Sequence, residues 1–123
     1  MEVVVDSHAL LWFVSNNQKL SEKAKRALNK SSKIIVSTIV LLELLYILQK
    51  YGQENKFNKL LDNLTSEKYL IYPVDYALVK ECAKLDKNLE MHDRLIVATA
   101  RIFNAPLVSK DQQVKRVFNK TIW

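Results

Sequence analysis

Val3, Val4 and Val5 form an unbroken β-branched run that stops at Asp6. A run of that kind suits a strand buried on both faces. From Ala9 to Val14 the chain is apolar and rich in helix formers, so a helix is expected directly after it. A carboxylate therefore stands where a central strand turns into a helix. In open α/β sheets ligands bind beyond the carboxyl ends of the strands, which is where Asp6 falls. Capping the helix is the other role open to it.

The same alternation continues along the chain. Ser21 reads as an N-cap, followed by a narrow stripe of Leu20, Ala24, Ala27 and Leu28 at helical spacing. Lys33–Ser37 reads as a second strand, and Ser37 or Thr38 caps a helix from Ile39 to about Tyr51, ended by Gly52. That helix is apolar nearly all round, which predicts that most of it is buried. A polar helix over 53–67 carries Phe57, Leu60, Leu61 and Leu64 at helical spacing. Tyr69–Tyr72 reads as a third strand closed by Pro73, and Asp75 caps a helix with Leu78, Val79, Cys82, Ala83 and Leu85 on its buried side. A helix over 91–104, a strand at 106–109, a helix over 112–118 and a short edge strand at 121–123 follow. Ser109 and Gln112 fit a capping box, which would put Asp111 in the first turn. Strands and helices alternating from end to end predict an α/β fold: a mainly parallel sheet with helices on both faces. At 123 residues, with no linker or repeat, the chain reads as one domain, 1–123.

Four acids are placed in the same odd way. Asp6 and Asp111 follow strands. Glu43 interrupts an apolar helix, where a carboxylate needs a solvent window, a partner or a metal. Asp93 shares a face with Ile96, Val97 and Ala100, so it turns toward the core side of its helix. If the first and fourth strands are neighbours, the four acids meet at one sheet edge. Carboxylates so close repel one another and call for cations. Hard oxygen ligands favour Mg²⁺ or Mn²⁺, and such ions activate water and clamp the oxygens of a phosphodiester. His8 and His92 adjoin the acids, but the ligand spacings of zinc sites are absent.

Composition narrows the partners. A single glycine excludes glycine-rich phosphate loops. A net charge of +6 permits a polyanion. Lys19, Lys23, Lys25 and Arg26, with Lys110, Lys115 and Arg116 further on, are candidate phosphate contacts; a solvated helix face is the plainer role of the first group. Cys82 alone excludes an internal disulfide and fits a reducing compartment. The longest apolar stretch is too short to span a bilayer, and no signal peptide is visible, so a cytoplasmic protein away from membranes is expected.

These segments resemble PIN-domain ribonucleases, above all the VapC-like toxins of toxin–antitoxin pairs. The likeness runs through Asp6-Ser7-His8-Ala9-Leu10-Leu11-Trp12, Val36-Ser37 leading to Glu43, His92-Asp93-Arg94-Leu95-Ile96-Val97-Ala98-Thr99-Ala100, and Pro106-Leu107-Val108-Ser109-Lys110-Asp111. The resemblance implies a three-layer α/β/α sandwich and a metal-dependent endoribonuclease. It implies Asp6, Glu43, Asp93 and Asp111 as the catalytic, metal-holding quartet, with Ser7 and Ser109 as hydrogen-bonding support. It also implies an RNA substrate, a cognate antitoxin and a homodimer. Glu90 stands where an additional Asp is common in these toxins, so it is left out of the core site. Two rival readings are a non-catalytic RNA-binding module and a phosphoacceptor or phosphatase domain using Asp6. The second is weakened by His8, since that phosphatase type repeats Asp two residues on.

Overall fold

The computed structural model describes residues 1–123. Its strands are β1 (Glu2–Val5), β2 (Lys33–Ser37), β3 (Tyr69–Tyr72), β4 (Leu107–Val108) and β5 (Thr121–Ile122). Its helices are α1 (Ser7–Val14), α2 (Glu22–Lys30), α3 (Thr38–Lys50), α4 (Glu54–Asn63), α5 (Tyr76–Cys82), α6 (Met91–Phe103) and α7 (Gln112–Val117). All strand pairs are parallel, in the order β3-β2-β1-β4-β5. The chain moves outward from β1 to β2 and β3, then crosses back to β4 and β5. Right-handed crossovers then put the helices of the two halves on opposite faces, an α/β/α sandwich.

The β-branched runs make this sheet possible. Val3, Val4, Val5, Ile34, Ile35 and Val36 are wholly buried, as are Leu107 and Val108. Each such side chain contributes about 1.5–3 kcal/mol by leaving water. β1 is the central strand, paired on one side through Val3–Ile34 and on the other through Val5–Val108. Between β1 and β4 the winding direction reverses, and the crevice beyond their carboxyl ends is the ligand position of such sheets.

Helix starts follow local chemistry. Asp6 Oδ1 accepts from Ala9 N at 2.9 Å, Ser21 Oγ from Ala24 N at 3.1 Å, and Asp75 Oδ1 from Leu78 N at 2.9 Å. Gly52 closes α3 with φ +66°, a conformation that suits glycine. The capping box at Ser109 does not form. Ser109 N still donates to Ile122 O, so its backbone belongs to the sheet, and Asp111 is the cap of α7. Its Oδ1 accepts from both Gln113 N and Val114 N.

Two burial expectations are corrected. α3 buries only Val40, Leu44 and Leu48, whereas Leu42 and Tyr46 are 60% and 68% exposed. α5 buries Leu78 and Cys82, but Val79 and Ala83 face solvent. In both helices one apolar stripe meets the core and a second is left outside. No helix is long and apolar enough to cross a membrane.

Candidate active site

Beyond the carboxyl ends of β1 and β4 lies a cavity of about 470 Å³. Asp6 reaches it from the β1–α1 junction and Asp111 from the cap of α7. Glu43 enters from the middle of α3 and Asp93 from the first turn of α6. α3 packs on α6, and that contact brings the last two acids over the sheet edge. All four sequence-identified acids therefore line one cavity. Glu90, the residue before α6, joins them as a fifth carboxylate.

Polar neighbours hold these groups. Ser7, buried, donates its hydroxyl to Glu43 Oε1. Ser109, also buried, accepts from Asp111 N at 3.1 Å and hydrogen-bonds the Asp6 carboxylate. His92 lies between three acids: Nε2 is 3.0 Å from Glu43 Oε2 and 3.6 Å from Asp93 Oδ1, and Nδ1 is 3.4 Å from Glu90 Oε1. Ligand atoms of Glu90, His92 and Asp93 lie within 4.8 Å of one another.

The cavity is short of positive charge. Lys110 is its one permanently charged cation, against five carboxylates. Burial pushes Asp6 above the usual carboxylate range; the Ser109 and Ala9 hydrogen bonds and His8 pull against it, and Glu43 adds repulsion. Asp93 is pushed up to about 6, chiefly by burial; His92 pulls it down, while Asp111, Glu90 and Glu43 push it further up. Several negative charges in a part-buried space produce this pattern.

The predicted phosphate contacts are dispersed. Lys110 lines the acid cavity, but Lys23, Lys25 and Arg26 lie along α2, and Lys115 lies exposed on α7. Arg116 faces a separate cavity with Arg101 and Lys120.

The family model of the PIN domain matches residues 3–119. The chain belongs to the PIN-domain family. No curated protein sequence matches it. Solved structures share this PIN fold over nearly the whole chain. A toxin–antitoxin complex from Klebsiella pneumoniae is 19% identical, with 98% of this chain and 96% of that one covered at a TM-score of 0.73. VapBC2 of Rickettsia felis, bound to a DNA fragment from its promoter, is 20% identical over 97% and 95%, at 0.72. VapC20 of Mycobacterium tuberculosis, described as a sarcin–ricin loop cleaving toxin, is 16% identical over 93% of each chain, at 0.72.

Within this PIN domain the cavity holds more than the sequence reading placed there. Glu90, set aside because an Asp is common at its position, also stands three residues before Asp93, a spacing that shares a helix face. His92 had only its adjacency to Asp93, because its link to Glu43 depends on how α3 and α6 pack.

Proposed function

We propose that this PIN domain is a divalent-cation-dependent endoribonuclease and the toxin of a toxin–antitoxin pair. The observation that carries the reading is the convergence of Asp6, Glu43, Asp93 and Asp111 on one undercharged cavity at the sheet's switch point. Their carboxylate oxygens are the hard donors that suit Mg²⁺ or Mn²⁺. Burial, with repulsion from Asp111, Glu90 and Glu43 added to it, holds Asp93 up, and a bound cation would favour its ionised form. Asp6, Glu43, Asp93 and Asp111 would hold it. When bound, the ion offsets the charge of a phosphodiester and makes water a usable nucleophile near neutral pH.

The chain's own residues set the stage for hydrolysis. Ser7 and His92 fix the two oxygens of Glu43 from opposite sides. Ser109 steadies both Asp6 and the backbone of Asp111. Lys110, on the cavity wall, is placed to meet a phosphate. Attack by water at phosphorus leaves 5′-phosphate and 3′-hydroxyl ends.

The toxin assignment is supported by the fold shared with toxin–antitoxin proteins. A homodimer is part of this reading, and apolar side chains are left outside the core that could serve it: Leu42 and Tyr46 of α3, Tyr76 and Val79 of α5 and Met91 of α6 are all more than half exposed.

The deciding experiment incubates the purified protein with structured RNA, with Mg²⁺ or Mn²⁺ and with EDTA. Endonucleolytic cuts that need the ion and carry 5′-phosphates support the reading. Products ending in 2′,3′-cyclic phosphate would show attack by the ribose hydroxyl and overturn it.

A further inference from the structure

Outside the acids, the cavity has one aromatic wall. Trp12 lies one helical turn beyond His8 on α1, and the two rings are tilted against each other with centroids 5.5 Å apart. Trp123 also packs against the Trp12 ring, with centroids 5.9 Å apart. Two lysines approach the same indole: Lys19 Nζ at 6.0 Å from the ring centroid and Lys110 Nζ at 5.7 Å. Neither ammonium has a carboxylate partner. Trp12 is also the one residue shared by the acid cavity and a second cavity of about 350 Å³, which Lys56 and Lys59 flank.

We infer that Trp12, with His8 beside it, is a stacking platform for an unpaired nucleobase of a single-stranded RNA, and that Lys19 and Lys110 take the phosphates on either side of that base. The inference rests on the nuclease reading above and adds to it the residues that would hold one base and its flanking phosphates beside the acids. Both ammonium groups lie within 6.0 Å of the ring centroid, close enough to meet phosphates next to a base stacked there. Weakly held ammonium groups over an indole keep their hydrogen-bond donors free for phosphate oxygens. A ring braced by core neighbours and Trp123 is already in place before binding, so stacking on it loses little conformational freedom. Asp6 caps the same helix that carries Trp12. They stand six positions apart, about 9 Å along the axis, which sets the platform within a nucleotide or two of Asp6. A plain packing role explains the contact with Trp123 but not two unpaired cations at the ring, nor its place on the wall between two cavities.

The test measures binding in EDTA, so that no strand is cut, using a short single-stranded oligonucleotide and a matched strand with abasic sites. The parent protein should bind the base-bearing strand about 5- to 160-fold more tightly, the span expected for one base on one aromatic ring. Its tryptophan fluorescence should be quenched by that strand and not by the abasic one. Trp12→Phe should keep the preference, and Trp12→Leu, which retains apolar bulk, should lose it. Equal affinity for the two strands, or a preference that survives Trp12→Leu, overturns the platform. Should Trp12→Leu fail to fold, the quenching contrast in the parent protein decides. Base-dependent binding without any ion-dependent cleavage would overturn the nuclease reading alone, and cleavage without base-dependent binding would overturn the platform alone.

Discussion

His92 Nε2 lies 3.0 Å from Glu43 Oε2, tying the first turn of α6 to the middle of α3 across the mouth of the acid cavity. The same nitrogen faces Asp93 at 3.6 Å, so one ring governs the spacing of two of the four acids. The contact is tertiary and polar, and it orients groups rather than filling the core.

Removing that ring should therefore hurt activity more than folding. His92→Ala is expected to lower ion-dependent RNA cleavage about 10- to 100-fold, the usual loss when a group supporting a metal ligand is deleted. Stability should shift by less than about 1 kcal/mol, because the side chain is partly exposed. Cleavage rates and urea midpoints of the two proteins check both halves. An unfolded His92→Ala protein would show the ring to be structural.

Asp93 makes stability depend on pH with a sign opposite to that of a salt-bridged acid. Its folded pKa, about 6, lies above the 3.8 of an unperturbed Asp. Between those values the folded state binds the proton more readily than the unfolded one. As pH rises through that window the group's contribution to stability falls, and the loss is complete above about 6. Asp93→Asn removes the effect, so the variant without metal should be more stable than the parent at pH 7–8, by at most about 3 kcal/mol. The difference should close toward pH 4. Chemical denaturation of both proteins at several pH values gives the result, and a gap that widens toward low pH would refute it.

Divalent cations should reverse that penalty. A ligand that binds only the folded state stabilises it by RT ln(1 + [L]/Kd), roughly 2.7 kcal/mol at a hundredfold excess over Kd. Mg²⁺ or Mn²⁺ should raise the parent's melting temperature and raise that of Asp93→Asn much less, while the variant loses cleavage. Differential scanning fluorimetry with and without the ion reads this directly. An active Asp93→Asn protein with parental metal stabilisation would remove Asp93 from the site.

Asp111 has two roles that substitution can separate. Its Oδ1 caps α7 through Gln113 N and Val114 N. Asn caps nearly as well as Asp, so Asp111→Asn should keep the parent's stability yet lose cleavage. Asp111→Ala should lose cleavage and also about 1 kcal/mol of stability. Full activity in Asp111→Asn would mean that this residue is a cap and nothing more.

The basic face of α2 can be weighed by salt. If Lys23, Lys25 and Arg26 touch phosphates, removing all three should flatten the slope of log affinity against log salt by about 2 for a single strand. An unchanged slope assigns that face to solvent.

What could be read before folding, and what could not, divides along physical lines. β1 and its acid were legible because a β-branched run and a cap are local signals, and Asp6 in fact serves as both cap and cavity wall. The cap of α7 was misplaced because Ser109 and Asp111 both offer side-chain acceptors. The choice was made by Ser109's backbone hydrogen bond to Ile122, a tertiary contact no local pattern contains. α3 as a whole was read as mostly buried, yet Leu42 and Tyr46 are exposed, since hydrophobic periodicity cannot tell a residue that meets the sheet from one left for a partner. Likewise the charges of Lys110 and Arg116 look alike in sequence, and only the fold sends one to the acid cavity and the other to a different one.

The pairing of Val5 with Val108 has a bearing on synthesis. Asp6 leaves the ribosome 105 residues ahead of its cavity partner Asp111. At translation speeds of about 5–20 residues per second, the nascent chain spends seconds with its carboxylates far apart. The acid cavity is thus completed only when β4 slots in beside β1.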